Sequence, residues 1–91
     1  MNVLVTTEYR GVFFGELISR DDDKRVVSLK DAKNCVSWSS SVKGFMGLAS
    51  TGPDGNCRIG PTVPQLDLIG VTSITTCTDT ASDAWRSQPW S

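Results

Sequence analysis

The chain has 91 residues, 38% of them hydrophobic and 21% charged, with nine Lys+Arg against ten Asp+Glu and a formal charge of −1. That length supports one hydrophobic core, so the reading is a single domain over 1–91 with no room for a second. The near-neutral balance excludes a general electrostatic footprint for duplex DNA or an anionic membrane, and no apolar run approaches the roughly 20 residues a spanning helix needs.

The first third is β-rich. NVLVTT (2–7) and GVFFGELIS (11–19) combine β-branched and aromatic residues around a turn at EYRG. The N-terminus has neither a basic leader nor a long apolar stretch, so it reads as a first strand and not as a signal peptide. Alternation places Val12, Phe14 and Ile18 on one face of the second strand and Phe13 and Leu17 on the other. Two apolar faces imply a curled sheet or small barrel, with Gly15 as a point of bending. RDDDKR (20–25) is a charged hairpin tip; its acidic run lacks the spaced ligands of a calcium loop. VVSLK (26–30) follows as a third strand.

The period changes at WSSSVKGFMGLA (38–49). Val42, Phe45, Met46 and Ala49 recur at helical spacing, which predicts a short helix over about 40–49 with Val42, Phe45 and Met46 against the sheet. A serine among Ser39, Ser40 and Ser41 is the expected N-cap. Gly44 and Gly47 leave a smooth flank open to approach by a ligand or partner. STGPDGNCRIGPTVP (50–64) reads as loop, and LDLIGVTSITTC (66–77) as two strands or one bent strand broken at Gly70. Residues 78–86 fit a last short helix capped by Asp79 or Thr80, from which Trp85 and Trp90 pack back or form a contact surface. The fold class is mainly β (α+β): a small SH3/Sm-like antiparallel barrel or curled sheet with an inserted short helix.

The chemistry points to binding. Histidine is absent, so no Ser-His or Cys-His pair exists. Ser40 and Lys43 match an S-x-x-K spacing without the companion motifs that give it meaning. Cys35, Cys57 and Cys77 are odd in number with no C-x-x-C pair, which implies structural, reduced thiols. No catalytic residue, metal site or cofactor is expected. Lys33 and Asn34 precede an aromatic residue, Trp38, which is followed by Ser39, Ser40, Ser41 and Lys43. Five of the nine basic residues (Lys24, Arg25, Lys30, Lys33, Lys43) fall within 24–43. A ring, hydroxyls and cations in one stretch suit a small phosphate-bearing, nucleotide-type ligand.

Two resemblances extend this reading. VLVTTEYRGVFFGELISRDDDKRVVSLKDA (3–32) resembles the first half of an Sm-like barrel, through Gly11, F-x-G-x-L at 13–17, a charged turn and SLKDA at 28–32. That likeness implies a five-stranded SH3-like barrel, ring assembly by edge pairing and RNA binding. The family's arginine before Gly70 is missing here. The whole chain also resembles a family of small tailed-bacteriophage proteins. GVFFGEL (11–17), LKDAKN (29–34), Trp38-Ser39, Asn56-Cys57-Arg58, Cys77-Thr78 and Pro89-Trp90 carry that likeness. It implies a phage product in the cytoplasm of the infected bacterial host. The expectation is a non-enzymatic, homo-oligomeric accessory protein of host takeover or counter-defence that sequesters a nucleotide-type immune signal. A protein-binding inhibitor of a host enzyme or defence factor, and an Sm-like nucleic-acid module, are the alternatives.

Overall fold

The computed structural model describes residues 1–89, which form a mainly β structure with two short helices. Trp90, one of the two expected C-terminal contact residues, lies outside the described residues. Strand β1 (Asn2–Thr7) leads through a 3-10 turn to β2 (Gly11–Asp21), which hairpins into β3 (Val26–Ser37). Helix α1 (Gly44–Ser50) follows, then β4 (Arg58–Ile59), β5 (Val63–Ile69), β6 (Val71–Thr76) and α2 (Asp79–Ser87). All pairings are antiparallel, in the order β4-β3-β2-β1-β6, with β5 also on β3.

The sheet is long enough to curl because β2 and β3 are long. Bulges between Phe14 and Glu16 and between Leu17 and Ser19 bend it around Gly15. The charged run makes the β2–β3 turn, where the Asp21 carboxylate accepts the Lys24 N–H at 3.2 Å. Gly70 separates β5 from β6 at φ +74, a conformation glycine adopts freely. β5 pairs with β3 and β6 with β1, so the sheet curls without closing.

Both faces of the curl are covered. Val3, Val5, Val27, Leu29, Ala32, Leu68 and Val71 fill the inner face. Leu4, Val12, Phe14, Cys35 and Ile59 meet Leu48, Ala49, Ala81 and Trp85 of the two helices on the outer face. The change of face between Leu4 and its neighbours Val3 and Val5 is the strand period itself. Trp85 stacks on Phe14 with centroids 5.1 Å apart, and its indole N–H donates to the Leu48 carbonyl at 3.0 Å.

Six expectations are corrected. β3 runs on to Ser37 instead of ending at 30, and the expected 50–64 loop contains β4 and the start of β5. The 40–49 helix is divided: Ser40–Val42 is a 3-10 turn, and Lys43 and Gly44 at φ +62 and +76 separate it from α1. That break shifts the helical phase, so Val42 is buried while Phe45 and Met46 are 37% and 63% exposed. No serine side chain caps either segment. The cap of α2 is Thr78, whose hydroxyl accepts the Ala81 N–H at 3.0 Å, in place of Asp79 or Thr80.

Candidate functional site

Trp38 emerges from the end of β3 and packs half-buried against the outer core. Its remaining surface forms one wall of an open groove of about 340 Å³, lined also by Thr6, Thr7, Gly11, Val12 and Phe45. That volume lies within the range of small-molecule sites, roughly 300–1,000 Å³. β1 and β2 supply the floor where their ends meet the 3-10 turn, and α1 supplies Phe45. None of the six lining side chains is charged. Thr6 extends the floor into a row of hydroxyls, since its Oγ1 hydrogen-bonds Thr72 at 2.7 Å and also Ser73. Tyr9, between two lining positions of the chain, is 98% exposed, and Met46 stands next to Phe45.

The serine turn next to Trp38 has a different character. Ser39 and Ser41 hydrogen-bond each other, and Ser41 Oγ donates to Asp54 Oδ2 at 2.6 Å. Asp54 Oδ1 takes the Asn56 N–H at 2.9 Å and lies 3.6 Å from Cys57 Sγ. Ser41 first, and then Asn56, hold the Asp54 carboxyl below the usual carboxylate range. The Asp54 carboxylate therefore accepts from the Ser41 hydroxyl, and the Ser40 hydroxyl and the Lys43 ammonium make no side-chain hydrogen bond among the described residues. Both are exposed, and Lys43 makes no ion pair among the described residues.

Lys33 and Asn34 do not line the groove. Lys33 is 8% exposed, and its ammonium donates to the carbonyls of Trp85 (2.8 Å) and Gln88 (3.2 Å) at the end of α2. Burial, and then the nearby Arg86, lower its pKa. The Asn34 carbonyl takes the Gly60 N–H at 2.9 Å, linking β3 to the chain after β4. Of the seven expected residues, Trp38 lines the groove, Ser39, Ser40, Ser41 and Lys43 follow it in the adjoining turn, and Lys33 is bonded to the end of α2 and the Asn34 carbonyl to Gly60. The structure adds Thr6, Thr7, Gly11, Val12 and Phe45. Phe45 carried a signal that helical phase misread, and the β1–β2 residues carried none, being more than 25 positions from Trp38.

The three cysteines are free and buried in the outer core. Burial, and then the neighbouring Cys57 thiol, push Cys35 up to about 12, and burial pushes Cys77 up to about 11. Among the described residues no group of three or more His, Cys, Asp or Glu is placed to hold a metal ion, and no helix is long and apolar enough to cross a membrane.

Residues 1–85 match a family model described as a domain of unknown function (DUF6948). No curated protein matches the chain, and no solved structure does.

Proposed function

We propose that this chain, which belongs to the DUF6948 family, is a non-enzymatic binding protein that sequesters a small nucleotide-type ligand. The observation that carries the reading is the uncharged groove walled by Trp38 and Phe45. Two ring-bearing walls over a hydroxyl floor suit a planar heterocycle, and stacking of a base on one aromatic side chain contributes about 1–3 kcal/mol. Lys43, two residues before Phe45, and the Ser40 hydroxyl take the phosphate end outside the groove, clear of the Asp54 carboxylate. These groups hold a ligand and offer no tuned acid–base pair to transform it. In this reading the protein is a phage product that removes an immune signal from the cytoplasm of an infected bacterium. It assembles as a homo-oligomer through open strand edges, as an Sm-like relationship would imply.

Calorimetry with a panel of nucleosides and mono-, di- and cyclic nucleotides tests the reading. The wild type is expected to bind at least one of them. Phe45→Ala weakens that binding about tenfold or more, equivalent to 1.4 kcal/mol. Because the groove holds the ring, the matching nucleoside retains measurable affinity, while Lys43→Ala removes only the phosphate contribution. Absence of binding across the panel overturns the proposal. One observation favours a second reading in that event: Tyr9, Phe45 and Met46 are exposed around the groove, and aromatic residues and Met are enriched at protein interfaces. The partner is then a host protein, covered by the same surface.

A further inference from the structure

β1 and β2 pair from Thr7 opposite Gly11 at one end to Asn2 opposite Glu16 at the other. The Trp38 groove lies at the first end. At the second lies a larger open cavity of about 690 Å³, whose lining includes Asn2, Glu16, Asp31, Lys33, Asp79 and Arg86. β3 and the end of α2 together fix its two cationic side chains. Lys33 Nζ donates to the Trp85 and Gln88 carbonyls at 2.8 and 3.2 Å, and Arg86 Nη1 donates back to the Asp31 carbonyl at 2.7 Å. The Arg86 guanidinium also sits 4.7 Å from the centroid of Phe14, the ring on which Trp85 stacks. These contacts hold both charges in place and neutralise neither, since no carboxylate among the described residues pairs with Lys33 or Arg86. Lys33 is 8% exposed, and a charge buried without a counter-ion is costly. An ammonium has three donors and a guanidinium five, so both cations keep donors that no described residue occupies.

Carboxylates share the cavity. Glu16, Asp31 and Asp79 outnumber Lys33 and Arg86 three to two, and none of the three joins an ion pair among the described residues. Asp79 begins α2 and Arg86 lies seven residues on, two turns and about 10 Å along the same side of the helix. A simple anion drawn to Lys33 and Arg86 would face that excess of negative charge. A ligand with a carboxylate at one end and a cation at the other meets both. We propose that this cavity binds a basic amino acid of the lysine or arginine type, its carboxylate on Lys33 and Arg86 and its cationic side chain toward Glu16 and Asp79. The carboxylate gives the buried Lys33 its missing counter-charge, and Arg86 offers it charge-assisted N–H donors. The ligand's one extra positive charge matches the one extra carboxylate of the cavity, so acidic amino acids fit less well. The site stands apart from the Trp38 groove and does not depend on what that groove holds.

Calorimetric titration of the full chain with L-lysine, L-arginine, L-glutamate and 1,5-diaminopentane, which is lysine without its carboxylate, tests the site. At least one of the two basic amino acids is expected to bind, with glutamate and diaminopentane about tenfold weaker or more. Arg86→Gln weakens the basic amino acid about tenfold or more, Glu16→Gln weakens it several-fold, and Phe45→Ala leaves it unchanged. On saturation, amide chemical shifts move at residues 16, 31–33 and 79–86. Failure of both basic amino acids to bind overturns the proposal, as does diaminopentane binding as tightly as lysine, or glutamate more tightly. The Glu16 side chain is exposed on β2, so Glu16→Gln keeps the test alive if Arg86→Gln does not fold. Unchanged lysine and arginine affinity in Glu16→Gln overturns the assignment of the cationic end. Shifts centred on 38–45 instead place the ligand in the groove and overturn the site.

Discussion

Lys33 illustrates how one residue's chemistry depends on what packs beside it. In the sequence it is one cation of a basic stretch. In the structure it is a buried β3 cation that reaches the C-terminal end of α2, where it ties down the Trp85 and Gln88 carbonyls. Replacing it with Met keeps much of its apolar stem and strands those carbonyls, at an expected cost of about 1–3 kcal/mol. Lys43→Met, at an exposed turn, is expected to change stability by no more than about 0.5 kcal/mol. Urea unfolding of the two variants compares them directly. The Lys33 pKa is lowered in the folded protein, so between that value and the ordinary one near 10.5 the unfolded chain binds more protons. Stability from this group is present above the unfolded value and is lost as pH falls through the folded one. The wild type should therefore gain stability relative to Lys33→Met as pH is raised through the alkaline range toward 10.5; a flat difference would contradict the assignment.

Among the elements, the segment 38–50 decides where the groove lies. A single helix through 40–49 would have buried Phe45 together with Val42. Lys43 and Gly44, both at positive φ, turn the chain instead and leave Phe45 facing Trp38 across open space. Gly47 makes this turn possible, because a Cβ there would fall 1.5 Å from the Val42 carbonyl oxygen. At Gly47 the flank that looks smooth in the sequence is thus occupied by the chain's own backbone, while at Gly44 it is open. Gly47→Ala is expected to destabilise by about 3 kcal/mol, the upper range for overpacking, and to weaken any ligand held by Phe45. Gly55→Ala, where an added Cβ meets nothing within 4 Å, is the matched control and should stay within about 0.5 kcal/mol. Thermal unfolding of both variants reads the difference.

For the whole molecule, the defining feature is one curled sheet with a core on each face. The outer core is sealed by the helices. The inner one is rimmed by half-buried Phe13, Leu17, Leu66 and Ile74, beside the unpaired edges of β5 and β6. Open edges carry unpaired backbone donors and acceptors, and Pro64 in β5 removes only one of them. The proposed self-association follows from this arrangement. Light scattering across micromolar concentrations should give a mass that is a multiple of 9.8 kDa. A species of 9.8 kDa alone would refute it.

Chain-local physics made part of this molecule legible. Val3, Leu4 and Val5 alternate between cores because a strand has a period of two, the charged run marks the β2–β3 hairpin, and Gly70 breaks a strand wherever that strand lies. Each signal sits in a few consecutive residues and needs no partner to be read. Tertiary structure alone decided the rest. The groove joins Thr6, Thr7 and Gly11 to Trp38 and Phe45, Lys33 finds its acceptors at residues 85 and 88, and the hydroxyl of Ser41 goes to Asp54 instead of capping a helix. A polar or aromatic side chain has several partners of nearly equal worth available to it. The choice among them is made by packing between segments far apart in the chain, so no local pattern records it.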